Sequence, residues 1–153
     1  MAGMRLRALA IAMLTLTAPA HASDLPPTGA ALAEWLEAGH YKQWRAESAV
    51  HASEGPHFGR VRAYLNPALF ASMQSGSTRH PRGVASVKEL YGNSETVKGW
   101  AVYIKNGPGD AASDWYWYEK FEARVVADGQ GVLLCRSCHF TGRDYVLTSW
   151  PLK

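Results

Sequence analysis

The chain has 153 residues, 47% hydrophobic, 11% aromatic and 19% charged, with 6 Trp and 7 Tyr. This composition excludes a disordered tail, a coiled coil and a collagen-like chain, and the length suits one domain. The net charge is +3, but Arg5 and Arg7 lie in an opening segment without acids, which leaves 14 basic against 13 acidic residues. Neither nucleic acid nor an anionic membrane is therefore indicated as a partner.

Residues Met1 to Ala22 read as a cleavable export signal. A short basic start is followed by the apolar run Ala8 to Ala20 and by Ala20-His21-Ala22, with small residues at both positions a signal peptidase reads. The run is shorter than the roughly 20 apolar residues needed to span a bilayer. The expected product is a single periplasmic domain from Ser23 to Lys153, with no membrane association after cleavage.

Ser23 to Gly29 is a turn-rich lead-in. Leu32, Trp35, Leu36 and Trp44 recur near helical spacing and predict a helix from Ala30 to about Glu47, with Thr28 as a cap. Ala52 to Gly59 is a loop. Arg60 to Leu65 alternates, with Val61, Ala63 and Leu65 on one side and Arg60, Arg62 and Tyr64 on the other, which predicts a strand. Asn66-Pro67 opens a short helix to Met73. Further strands are predicted at Val84 to Tyr91, Val97 to Lys105 and Trp115 to Val126, with turns between them and at Asp128-Gly129. Tyr145 to Trp150 reads as a last short strand. The expected class is α+β and β-rich: an N-terminal helix, an antiparallel sheet with an aromatic core, and a C-terminal segment that carries both cysteines.

That segment is Cys135-Arg136-Ser137-Cys138-His139, the C-x-x-C-H attachment motif for c-type haem. One helical turn brings both sulfurs to the two vinyl groups of one porphyrin, and the adjacent histidine supplies the proximal nitrogen to the iron. Three other readings compete. A Cys135–Cys138 disulfide would close a very small loop and stabilise little. A thioredoxin-like pair belongs near a βαβ unit, which this chain lacks. A zinc site would need further ligands, and there is no second cysteine pair.

Only Phe140 to Lys153 follow the motif, and they contain no methionine; beyond the export segment the one methionine is Met73. His40, His51, His57 and His80 could each in principle be the other axial ligand, but a surface or loop histidine explains each of them better. The expectation is a five-coordinate iron with an open distal face, suited to small ligands or chemistry more than to electron transfer alone. A C-terminal C-x-x-C-H also occurs in four-helix cytochromes c′, but the predicted strands do not fit that bundle.

Five segments in order carry a resemblance: Arg62 to Asn66, Pro81 to Glu89, Gly99 to Lys105, Asp114 to Trp117, and the haem motif followed by Asp144 to Thr148. Together they resemble the cytochrome P-460 family. The resemblance implies one haem against an antiparallel sheet, a homodimer and a high-spin, five-coordinate iron. Cytochrome P-460 proper oxidises hydroxylamine and carries an extra bond from a lysine to the porphyrin rim. Its cytochrome c′-beta relatives lack that bond, have a distal pocket lined by Phe, and bind nitric oxide.

Within the resemblance, Lys88 matches the cross-linking lysine and Lys105 is second choice, ending its strand where a solvated lysine is ordinary. An edge-strand or paired lysine also explains Lys88. Asp114 is the leading carboxylate to take protons from hydroxylamine, followed by Glu89 and Glu119, although the family is expected to use Glu and Asp114 also suits a turn. Arg62 is a candidate to hydrogen-bond an iron-bound ligand or a propionate. Phe58, Tyr64, Phe70 and Phe140 either line the pocket or pack the core. The expected function is hydroxylamine oxidation to nitric or nitrous oxide, with a soluble cytochrome as electron acceptor. Gas binding and electron transfer are the alternatives.

Overall fold

The computed structural model describes residues 25–57 and 59–153. The expected export signal, Met1 to Ala22, and Phe58 lie outside the described residues. Among the described residues no helix is long and apolar enough to cross a membrane.

The chain is α+β, with an N-terminal helix and an antiparallel sheet of seven strands. Strands β3 (Arg60–Leu65), β4 (Ala85–Gly92), β5 (Gly99–Lys105), β6 (Trp115–Phe121) and β7 (Arg124–Gln130) form an antiparallel meander. The short strands β1 (Arg45–Ala46) and β2 (His51–Ala52) pair with the free edge of β3. Helices α1 (Ala30–Glu37), α2 (Pro67–Gln74) and α3 (Leu133–His139) complete the fold.

Because side chains alternate along a strand, the sheet builds two apolar layers. Leu32 and Leu36 of α1, with Tyr41 and Trp44, pack against Val87, Val102, Ile104, Tyr116 and Tyr118. On the other face Leu69 and Met73 of α2 and Val146 pack with Leu65, Tyr103, Trp115 and Trp117. The aromatic core expected from the strands is therefore split between both faces.

Asn66 shows how local chemistry sets a boundary. Its Oδ1 accepts from Leu69 N at 2.9 Å and Ala85 N at 3.0 Å, and its Nδ2 donates to Gly83 O at 2.8 Å. Pro67 follows in the first turn, where its missing N–H costs nothing. Asn66→Ala removes a cap and leaves buried N–H groups unpaired. It is expected to cost roughly 2–3 kcal/mol, read as a lowered urea midpoint with unchanged slope. A loss below about 0.5 kcal/mol would contradict this role of Asn66.

Five features differ from expectation. The first helix stops at Glu37, because Gly39 takes a left-handed φ of 73° and the chain passes through a 3-10 turn at His40–Gln43. Tyr41 and Trp44 still enter the core, so apolar spacing continues after the helix has ended. Thr28 is not the cap; Gly29 holds that position, and its N–H donates to Tyr116 Oη at 2.9 Å. The strand predicted from Trp115 to Val126 is a hairpin, β6 and β7, reversing at Glu122-Ala123 with Glu122 at φ 51°. Asp128-Gly129 lies inside β7, and Tyr145 to Trp150 is irregular, its one bridge joining Val146 to Arg143.

Candidate functional site

Helix α3 follows β7 after a reversal at Gly131, where φ is 61° and the N–H donates to Trp115 O at 2.8 Å. This fastens the start of the motif segment to β6. Cys135 and Cys138, one turn apart, are both free thiols, Cys135 half-buried and Cys138 exposed. Burial, with Glu119 adding to it, pushes the Cys135 thiol up to about 11. That is the reverse of the lowered thiol expected of a redox-active pair. Leu133, Leu134 and Phe140 beside the motif are exposed apolar side chains.

His139 ends α3 with its ring against the sheet. Its centroid lies 4.7 Å from that of Trp117 and 5.7 Å from that of Tyr103, both edge-on. His139 Nδ1 lies 2.8 Å from Tyr145 O. A carbonyl only accepts, so Nδ1 carries the hydrogen and Nε2 keeps its lone pair. Burial first, with smaller contributions from His57 and Lys88, holds the ring at about 4 against the raising effect of the Tyr145 carbonyl. The imidazole is therefore neutral and ligand-competent at neutral pH.

Register decides what lies beside it. Leu65, Ser86, Tyr103, Trp117 and Gly129 form one cross-strand row, on which the His139 ring rests. The next row on the same face is Ala63, Lys88, Ala101, Glu119 and Ala127. Its three alanines leave Lys88 and Glu119 as its only long side chains. Among the described residues Lys88 has no hydrogen bond or ion pair. Burial lowers its pKa, opposed by the charges of Glu47, Glu119 and Glu54. Glu119 Oε2 meets His57 Nδ1 at 3.3 Å, and the His57 ring stands 6.4 Å from that of His139.

The donor set suits a c-type haem: two free thiols one turn apart, an oriented imidazole, apolar neighbours, and small residues around one lysine. Among the described residues no three His, Cys, Asp or Glu side chains converge to hold a metal ion.

Several sequence candidates lie elsewhere. Arg62 faces the α1 side; its Nε donates to Glu47 O at 2.8 Å and its guanidinium covers the Tyr64 ring at 5.3 Å. Asp114 closes a turn, its carboxylate accepting from Ala111 N at 2.9 Å and its carbonyl from Asn106 N at 2.8 Å. A Cβ on Gly107 would come within 1.7 Å of that carboxylate, so the loop closes on Asp114 only around glycine. Glu89 also faces α1, accepting from Tyr41, Tyr91 and Tyr64 hydroxyls at 2.6, 2.7 and 3.2 Å. Lys105 is buried and paired with Asp144 at 2.5 Å. Tyr64 belongs to the α1 layer, Phe70 packs on Trp150, and Phe140 is exposed.

Lys88 and Lys105 both lie on the His139 face, but Lys105 is tied to Asp144, which leaves Lys88 as the lysine candidate beside Glu119, the carboxylate that replaces Asp114 there. Counting the alternation onward from Trp115 and Trp117 would have selected Glu119. No periodicity marks His57, which sits in a loop. No family model, curated protein or solved structure matches the chain.

Proposed function

We propose that the chain is an exported, periplasmic c-type haem protein of cytochrome P-460 type that oxidises hydroxylamine. The observation that supports this is the convergence of Cys135, Cys138 and His139 on the sheet face that presents Lys88 and Glu119. Bound there, a c-type haem supplies an iron that takes the substrate nitrogen and passes electrons to an external acceptor.

The chain's own residues then have separable roles. Cys135 and Cys138 hold the group through thioethers. His139 offers Nε2, and its bond to Tyr145 O sets the ring orientation. Lys88, on the same sheet face as His139, would supply the amine for the cross-link that the resemblance implies. Glu119 would accept the protons that hydroxylamine loses. A soluble cytochrome as acceptor and a homodimer belong to the same proposal; sedimentation of the haem-loaded protein tests the second.

Cys135→Ala with Cys138→Ala is expected to abolish covalent haem. Intact mass of protein made with haem-maturation machinery should show one haem on wild type and none on the double variant. A wild type without haem mass under those conditions would refute the reading.

A further inference from the structure

We propose that the outer face of α3, with the segment that follows it, docks a soluble one-electron acceptor protein whose contact surface is acidic around an apolar centre. This rests on the haem reading above and names the chemistry of the partner that the same site would need.

The chain gathers its exposed apolar side chains in one place. Among the described residues, five of the seven large hydrophobic side chains left exposed, Leu133, Leu134, Phe140, Leu147 and Trp150, fall within residues 133–150. Leu133 and Phe140 are each 67% exposed. A single exposed apolar residue is ordinary, but a cluster of them marks an interaction surface.

Helical geometry separates this surface from the face that would hold the haem. At about 100° per residue, Cys135, Cys138 and His139 share one arc of α3. Leu133 and Phe140 lie roughly 170° and 150° from the middle of that arc. A group held by the cysteines and the histidine would therefore leave both side chains in solvent. Leu134 stands about 40° from Cys138 and joins the two faces. Cys138 is itself exposed, so a partner seated here lies beside one of the two thioether positions.

The segment after α3 continues the surface. Arg143 N donates to Val146 O at 3.1 Å and Val146 N donates to Arg143 O at 2.9 Å, which folds the chain back on itself. A Cβ on Gly142 would fall 3.1 Å from Leu147 N, so the turn returns Leu147 beside Gly142, two residues past Phe140. Trp150 is held edge-on to Phe70, with 5.2 Å between ring centroids.

Charge decides the occupant. Arg136 and Arg143 are exposed and, among the described residues, neither is in an ion pair. Asp144 is the only acid from Gly131 to Lys153, and its side chain is 1% exposed against Lys105. The stretch is therefore cationic around its apolar residues. A second copy would bring the same arginines to a two-fold interface, and no exposed acid from this stretch to meet them. An acidic partner answers both arginines and is steered toward them from solution. One electron then passes from the reduced haem to the oxidised acceptor, with no bond made or broken.

The test uses the haem-loaded full chain, reduced and mixed in stopped flow with two soluble single-haem cytochromes, one acidic and one basic. The acidic acceptor should react faster at low salt, and its rate should fall by roughly tenfold or more between ionic strengths of about 0.01 and 0.15 M. Arg136→Glu with Arg143→Glu should slow that reaction roughly tenfold and speed the one with the basic acceptor. Leu133→Ser with Phe140→Ser should also slow it while keeping its salt dependence. An uncharged quinone should oxidise wild type and both double variants at one rate, and intact mass should show one haem on each, which separates lost docking from a folding defect. Equal rates with the two cytochromes, or rates untouched by both double variants, overturn the proposal and leave the haem reading intact. So does a wild-type dimer that Leu133→Ser with Phe140→Ser splits in sedimentation, because the face then belongs to a second copy. Absence of thioether-bound haem by intact mass overturns both.

Discussion

Lys88→Ala is expected to retain thioether-bound haem, to take on an ordinary c-type spectrum, and to lose hydroxylamine oxidation down to background. Lys88 lies on β4, in the interior of the sheet between β3 and β5, opposite Ala63 and Ala101. Small neighbours allow a large flat group to approach the amine. Burial lowers the pKa of Lys88, which raises the fraction of free amine available as a nucleophile. Three acids temper that shift without pairing with it. A bond from this nitrogen to the porphyrin rim would alter the electronics of the ring and hold it against the sheet. Alanine matches its neighbours in the row, and it removes a partly buried charge, so the variant should fold with little loss. Nitric oxide binding should survive, since it needs no lysine. Peptide mapping gives the decisive result: a haem peptide carrying a Lys88 segment supports the enzyme. A haem peptide with only Cys135 to His139, together with identical spectra for wild type and variant and no turnover, would leave gas binding as the function.

Lys105→Met is expected to cost about 3–5 kcal/mol, because it strands a buried carboxylate. Lys105 Nζ meets Asp144 Oδ2 at 2.5 Å and donates to His80 O at 2.8 Å, and the same Oδ2 accepts from His80 N at 2.8 Å. Lys105 is 1% exposed, and the other oxygen of Asp144 has no hydrogen bond. The cluster does more than close the core. Asp144 and Tyr145 have φ of 46° and 65°, a left-handed backbone that costs non-glycine residues of order 1 kcal/mol or more each. The ion pair holds that turn, and the turn aims Tyr145 O at His139 Nδ1. Loss of the ammonium should therefore lower the urea midpoint and also shift the reduction potential of the haem-loaded protein, since the hydrogen bond behind the proximal ligand weakens. Lys105→Met with Asp144→Leu should recover much of the stability, because no buried charge is left alone, while the shifted potential should persist. A single variant within about 1 kcal/mol of wild type, with an unchanged potential, would remove this role for the pair.

Local features were legible in the residues. Arg60 to Leu65 is the strand that its alternation predicts, with Val61, Ala63 and Leu65 on one face. Asn66-Pro67 starts α2 as expected, because cap and proline act within one turn. The contiguous C-x-x-C-H needs only helical spacing to bring its groups together, and it lies on α3. Lys88 stood out because an apolar strand rarely carries an unpaired lysine.

What the chain order hides is everything set by register and long-range contact. Asp114 and Glu119 are both acids near Trp117, and only strand alternation separates a turn-closing aspartate from a glutamate on the working face. Glu89 is next to Lys88 in sequence yet faces the opposite layer, where three tyrosines hold it. Lys105 reads as a solvated strand end, but Asp144, brought to it from far along the chain, makes it a buried partner. His57 meets Glu119 and His139 across a loop with no period. Composition, alternation and contiguous spacing act over a few residues, so the sequence by itself determined the strands from β3 to β5, the α2 cap and the spacing within the motif helix, but not the β6–β7 reversal. Which charged groups share a face, and which are tied up in ion pairs, depends on cross-strand register and on loops closed by distant partners, and those only the tertiary structure decided.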